Sequence, residues 1–248
     1  MPAGPGLALT KHLVLIHGIG ANRCSWDAVR AALGAGIATL AIDLPGHGAR
    51  RDHSFDLPLA LAAVDDAVRE ASGPVVLVGW SLGGYVALAY ASQRPESVHG
   101  LVLIGSSLIP NPAIRALFRV GSALAPLADL KLARRLVTAV LRRRYGRQAA
   151  STLACGVQPG DGLRALGAIA RWDVRGWLDG VICRALIING AHDRLFRWQE
   201  HDLARRHGRA TVRTIRGTGH FAPLAAPEAV GELLTDFLAG SPSYGGLT

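Results

Sequence analysis

Six short apolar runs recur along this chain of 248 residues. They are His12–Ile16 (HLVLI), Ile37–Ile42 (IATLAI), Val75–Val78 (VVLV), Leu101–Ile104 (LVLI), Ala185–Ile188 (ALII) and Thr211–Ile215 (TVRTI). A run that is apolar at successive positions leaves no face for water. Strands of this kind belong in a parallel sheet covered by helices on both sides. Helical spacing occupies the intervals, at Trp26–Leu33, Leu59–Ala71, Ser81–Gln93, Glu200–His207 and Glu228–Leu238. Alternation of the two patterns predicts an α/β fold with a mostly parallel sheet. Pro95 and Pro227 stand where helices should stop or start.

The alternation fails between about Ser107 and Val181, where three helical patterns follow one another: Ala113–Leu124, Lys131–Tyr145 and Gly162–Trp172. The expected organisation is therefore one core, residues 1–106 and 181–248, with a helical cap at 107–180. Ligands of open α/β sheets bind beyond the carboxyl ends of the strands, which is where such an insertion would lie.

Half the residues are hydrophobic and 18% are charged, which excludes a disordered chain. Cys24, Cys155 and Cys183 are odd in number and lack metal-ligand spacing, so neither a disulfide scaffold nor a metal site is expected. The start, MPAGPGLALTKHLVLIHG, has no basic segment leading a long apolar one, and a cytoplasmic setting is expected. From Ala71 to Gln93 no residue is charged, a length sufficient to span a bilayer. Gly79, Ser81, Gly83 and Gly84 interrupt its centre, so it reads as a buried strand, a tight turn and a buried helix.

That turn is Gly79-Trp80-Ser81-Leu82-Gly83. With 30 glycines in the chain the pattern alone is weak, but its setting between strand and helix is the one a nucleophile elbow requires. Small residues two before and two after the serine let the chain turn sharply and put the hydroxyl at the head of the helix. A serine needs a base, and the base a third group to orient it. Asp193 follows the Ala185–Ile188 run, and His220 lies in a glycine-rich loop after Thr211–Ile215. The order serine, aspartate, histidine suits an acyl-transfer site in which Asp193 holds the imidazole and His220 moves the proton. His192 adjoins the acid and points elsewhere, and His201 and His207 fall on a charged helix. His47 and Asp43 read as loop-shaping and structural. Backbone N–H groups of Leu82 and Ile19 are the candidates for holding an oxyanion.

These pieces resemble the α/β-hydrolase superfamily: His17-Gly18-Ile19-Gly20, Asp43-Leu44-Pro45-Gly46-His47-Gly48, Gly79 to Gly84, Asn189 to Asp193, and Gly219-His220. The resemblance spans nearly the whole chain. It implies the α/β-hydrolase fold with a variable cap after Leu101–Ile104. Epoxide hydrolases and haloalkane dehalogenases of that fold use an aspartate where Ser81 stands. Only about a dozen residues precede the first run, so the antiparallel pair that many relatives carry there is short or absent. GWSLGG and a helical cap look like the pimeloyl-[acyl-carrier protein] methyl ester esterases. Similar motifs occur in small carboxylesterases, enol-lactonases and cofactor-free perhydrolases.

The net charge is +9, and residues 107–180 hold 12 Lys+Arg against 4 Asp+Glu. Lys131, Arg135, Arg142 and Arg143 share roughly one helix face, with Arg144 beside them. A solvated basic face is one reading; a patch for an acidic carrier protein is the other. Nucleic acid would leave the serine constellation unexplained. The expectation is a cofactor-free serine esterase cleaving a small or carrier-bound carboxylic ester, with Trp80 and Tyr145 as substrate contacts. A thioesterase or acyl-transfer enzyme, and a lyase, cyclase or ligand-binding protein on the same scaffold, are the alternatives.

Overall fold

The computed structural model describes residues 12–128 and 159–240, and single positions 132, 135, 136, 139, 140, 142 and 143 between them. Strands β1 (His12–Ile16), β2 (Ala38–Ile42), β3 (Val75–Trp80), β4 (Val98–Ile104), β5 (Arg184–Gly190) and β6 (Ala210–Ile215) form one sheet. Their order is β2-β1-β3-β4-β5-β6, and each neighbouring pair is parallel. No antiparallel strand occurs among the described residues. All six apolar runs are strands, with Ile37 alone left outside β2, and β3, β4, β5 and β6 extend past them. The extensions are paired positions such as Trp80 opposite Ile104 and Gly190 opposite Ile215.

The chain moves outward from β1 to β2, then returns to the other side of β1 to lay down β3. The carboxyl ends of β1 and β3 therefore flank the point where strand order reverses, which is where α/β sheets open a ligand crevice. Ile16 ends β1 and Ser81 follows β3 directly, so both reach that crevice.

Successive strand residues point to opposite faces, so β1 sends Val14 and Ile16 into one core layer and Leu13 and Leu15 into the other. The first layer takes α2 (Leu57–Glu70) and α3 (Leu82–Gln93). The second takes α1 (Asp27–Leu33) and the C-terminal helix Pro227–Ala239 through Val29, Leu33, Val230, Leu234 and Phe237. Residues 82–91 of α3 are all buried. That burial on every side explains the uncharged stretch. No helix among the described residues is long and apolar enough to cross a membrane.

Ser81 does not begin the helix, as the spacing had suggested. It is a separate link with φ 53°, and α3 starts at Leu82. Tyr85, wholly buried in α3, donates its hydroxyl hydrogen to the Leu108 carbonyl (2.8 Å), and burial pushes its pKa up.

Between β4 and β5 the described residues form helices and loops only. These helices are α4 (Pro112–Ala123), α5 (Ala125–Ala128), α6 (Pro159–Ile169) and α7 (Val174–Gly180). Asn111 caps α4 by accepting from the Ile114 N–H (2.9 Å), and α4 packs on α6. The pattern Lys131–Tyr145 lies mostly outside the described residues; those described within it are helical. The seven-residue α7, capped by Asp173, was not legible as a pattern. After β5 come α8 (Arg194–Arg197), α9 (Glu200–His207), α10 (Ala222–Ala225) and α11 (Pro227–Ala239).

Helix α3 reaches the sheet through glycine. A Cβ on Gly83 would stand 2.2 Å from the Ile16 carbonyl oxygen, and one on Gly79 would stand 2.3 Å from the Gly83 carbonyl oxygen. Backbone atoms cannot retreat as a flexible side chain can. Gly83→Ala should therefore lower stability by about 3 kcal/mol or more, measured by urea unfolding. A loss under about 1 kcal/mol would show that the helix can shift away from β1.

Candidate active site

Ser81 occupies φ 53° and ψ −117°, a backbone state that costs a non-glycine residue about 1–3 kcal/mol. Several bonds hold it there. Ser81 N–H donates to the Ile104 carbonyl (2.8 Å), and the Ser81 carbonyl accepts from Gly84 N–H (2.9 Å). The Ser106 hydroxyl also lies 3.0 Å from that carbonyl oxygen.

The Ser81 hydroxyl donates to His220 Nε2 (2.9 Å), and His220 Nδ1–H donates to Asp193 Oδ2 (2.8 Å). Residues 139 and 27 positions apart are thus joined in one hydrogen-bonded chain. An ionised carboxylate on Nδ1 leaves Nε2 as the acceptor, the tautomer needed to draw on a hydroxyl. Asp193 is buried and follows β5 through a turn closed by Asp193 N–H to Gly190 O (2.9 Å).

His220 is held on three sides, two at its ring and one at its backbone. Phe196 stacks on it with centroids 4.6 Å apart and planes 21° from parallel. The Trp80 indole N–H donates to the His220 carbonyl (2.8 Å). Gly105, at φ 58°, leaves space only for hydrogen, since a Cβ there would lie 2.9 Å from His220 Nδ1.

The loop after β1 passes close against the serine, and a Cβ on Gly18 would be 3.1 Å from Ser81 Cβ. His17 holds this loop. Its Nδ1–H donates to the Gly18 carbonyl (2.8 Å), while Nε2 accepts from Leu44 N–H (3.0 Å). Burial first, and the neighbouring His47 second, push its pKa down to about 3. Ile19 follows on this loop and lines the cavity in front of Ser81. Leu82, first in α3, has a backbone N–H with no partner a turn earlier.

The cavity has a volume of about 270 Å³. Beyond Ser81, His220 and Trp80 its wall is apolar, made by Ile19, Phe118, Leu166, Leu195, Phe196 and Phe221. Phe118 and Leu166 come from α4 and α6. Trp80 is 1% exposed, and its polar atom is taken by the His220 carbonyl. Tyr145 and Arg144 lie outside the described residues; Arg135, Arg142 and Arg143 are exposed.

His192 and His201 are exposed. His207, on the charged helix, is half-buried rather than exposed, and desolvation lowers its pKa. Asp43 accepts from Arg23 N–H (2.7 Å) and Ala49 N–H (3.0 Å), a structural role. His47 is buried beside His17, with ring centroids 4.9 Å apart. Sequence reasoning missed His17, Gly105 and Phe196 as site-shaping residues. A histidine directly after the first apolar run, and a glycine directly after β4, were the available signals.

Residues 13–233 match the model of the alpha/beta hydrolase family. A pimeloyl-[acyl-carrier protein] methyl ester esterase of Neisseria meningitidis serogroup C is 32% identical over 248 residues, covering 93% of this chain and 94% of its own. The one from Klebsiella pneumoniae is 42% identical over 97 residues, covering 39% of this chain and 37% of its own. The solved structure of MenH from S. aureus superposes with a TM-score of 0.76 at 18% identity, covering 96% and 97% of the two chains. The esterase EaEST from Exiguobacterium antarcticum gives 0.77 at 16% identity, covering 92% of each. The chain belongs to the α/β hydrolase family.

Two outcomes are expected. Gly105→Ala should fold yet lose roughly 10–100-fold in hydrolysis of any ester the protein cleaves, because its Cβ displaces the imidazole. Unchanged kcat would mean the ring has room to move. The second concerns His17. An unfolded histidine takes up its proton near pH 6.5, whereas folded His17 resists until about pH 3. Its contribution to stability is therefore complete above pH 6.5 and falls as the pH drops toward 3, at roughly 1.4 kcal/mol per unit. Urea unfolding at about pH 7.5 and about pH 5 should show a smaller acid loss in His17→Gln than in the parent. Equal losses would remove His17 as the source.

Proposed function

We propose that this chain is a carboxylic ester hydrolase acting through an acyl-enzyme. The observation that carries the reading is the unbroken hydrogen-bonded chain from Asp193 through His220 to the Ser81 hydroxyl, opening on an apolar cavity. Ser81 Oγ attacks the ester carbonyl carbon while His220 Nε2 takes its proton. Asp193 keeps the ring in the required tautomer and stabilises the imidazolium. The tetrahedral oxyanion is received by the N–H groups of Ile19 and Leu82, each contributing roughly 3–4 kcal/mol. His220 then protonates the leaving alcohol, and the acyl group stays on Ser81. Water, deprotonated by the same imidazole, attacks the acyl-enzyme and releases the carboxylic acid.

The apolar wall favours an uncharged acyl chain, since a charged group there would be desolvated without a partner. Residues 107–180 act as a cap, and Phe118 and Leu166 bring it to the cavity. A relative that matches 93% of this chain is named for an ester on an acyl carrier protein. Exposed Arg135, Arg142 and Arg143 on the cap suit an acidic carrier. Carrier-bound methyl esters are therefore the substrate class in this reading.

The test is a panel of p-nitrophenyl esters, carrier-bound methyl esters and carrier-bound thioesters of varied chain length. The parent should cleave the esters, and Ser81→Ala should lose at least about 10³-fold in kcat/KM. Added salt should raise KM for the carrier-bound ester and leave the small ester unaffected. Full activity in Ser81→Ala would sink the hydrolase reading. A preference for thioesters would move the substrate class, and a salt response shared by both esters would remove the carrier.

A further inference from the structure

We infer that Glu200 is a positioning residue that holds Asp193 and Phe196 against His220 through a buried network reaching Asn189, Ser107 and Arg197. The inference rests on the serine, histidine and aspartate roles proposed above.

Glu200 opens α9 and is 1% exposed. A carboxylate is almost never buried so fully unless it is paired. Here one oxygen accepts from the Asn189 amide (2.7 Å), and the other accepts from Arg197 Nε (3.2 Å). His201 lies 3.7 Å from the second oxygen and adds charge only when protonated. Both partners lead to the segment that carries the acid. Arg197 Nη1 donates to the Ala191 carbonyl (3.1 Å). Asn189 also donates to the Ser107 hydroxyl oxygen (2.9 Å), and that hydroxyl donates to the Phe196 carbonyl (2.7 Å). The network thus grips the backbone at Ala191 and at Phe196, two residues before Asp193 and three after it. Phe196 is the ring stacked on the imidazole.

Stability alone is a poor account of this arrangement. Asn189 Oδ1 is buried with no hydrogen-bond partner among the described residues, which costs about 1–3 kcal/mol. The Arg197 side chain is 37% exposed, so water screens its pair with Glu200 and the buried carboxylate is weak evidence for stability. What the charged pair supplies is direction. Glu200 orients the Asn189 amide toward Ser107 and the Arg197 guanidinium toward Ala191. Together they set where Asp193 and Phe196 meet His220. Shifts near 1 Å in such geometry cost rate far more than they cost binding.

The test is a double-mutant cycle between Glu200→Gln and Asp193→Asn, read on a small ester and on the labelling rate of Ser81 by a fluorophosphonate. Rates are normalised to labelled sites, so loss of folded protein does not enter. Glu200→Gln should lower kcat about tenfold with KM changed less than about twofold. In the Asp193→Asn background the same change should cost less than about twofold, because the orientation it protects is already lost. Equal effects in both backgrounds, or an unchanged kcat per labelled site, would overturn the inference. If Glu200→Gln does not fold, Ser107→Ala goes through the same cycle with the same deciding outcomes. Failure to label Ser81 in the parent, or full activity in Asp193→Asn, would instead sink the underlying site reading.

Discussion

The structure depends first on how closely α3 approaches the sheet. Its start lies against the Ile16 carbonyl at a distance that no Cβ at Gly83 permits, and Gly79 meets the Gly83 backbone just as tightly. Strand β3 can therefore pass into helix α3 through a single residue. That residue is Ser81, in a backbone state that nothing but its surroundings sustains. The strain is contained because Ser81 N–H and carbonyl both have partners fixed by β4 and α3. A serine hydroxyl is thereby put at the head of a buried helix, at the point where the order of strands reverses.

A second constraint is the placement of His220, which belongs to a loop with no regular structure to hold it. Four residues from three distant pieces of the chain do that work. Asp193 comes from the end of β5, Phe196 from α8, Trp80 from β3 and Gly105 from the end of β4. Each acts differently: as a charge-assisted acceptor, a stacking face, a hydrogen-bond donor and an absence of bulk. The loop behind Ile19 is set in a comparable way by His17, which stays neutral in the core and so can accept from Leu44 while donating to Gly18. Precision at this crevice comes from buried polar groups whose partners leave them one arrangement. Phe118 and Leu166 add apolar wall to the same crevice.

Much of the fold was legible in the chain. The apolar runs all became strands; the four central ones are buried at nearly every position because helices cover both faces, while β2 and β6 at the sheet edges are only partly buried. The uncharged span from Ala71 to Gln93 resolved into β3 and a helix buried on every side. Ser81, Asp193 and His220 could be selected because each follows a strand, in an order that a proton relay can use. The rest was not legible, for reasons particular to each residue. Glycine at 105 looks like any strand-ending glycine until His220 arrives beside it. His207 sits in a charged helix yet is half-buried, with its Nε2 shielded from water. Glu200, Asn189 and Ser107 look like ordinary surface and turn residues, since their partners lie 11 and 82 positions apart.

By itself, then, the sequence determined the layering, the turn at Ser81 and which polar residues could take part. Periodicity and local turn chemistry are properties of neighbours in the chain. Tertiary structure alone decided which tautomer His17 adopts, what presses on the imidazole, and how a carboxylate in α9 reaches the segment carrying Asp193. Those outcomes depend on distances between segments far apart in the chain, and such distances exist only once the sheet has assembled and water has been expelled.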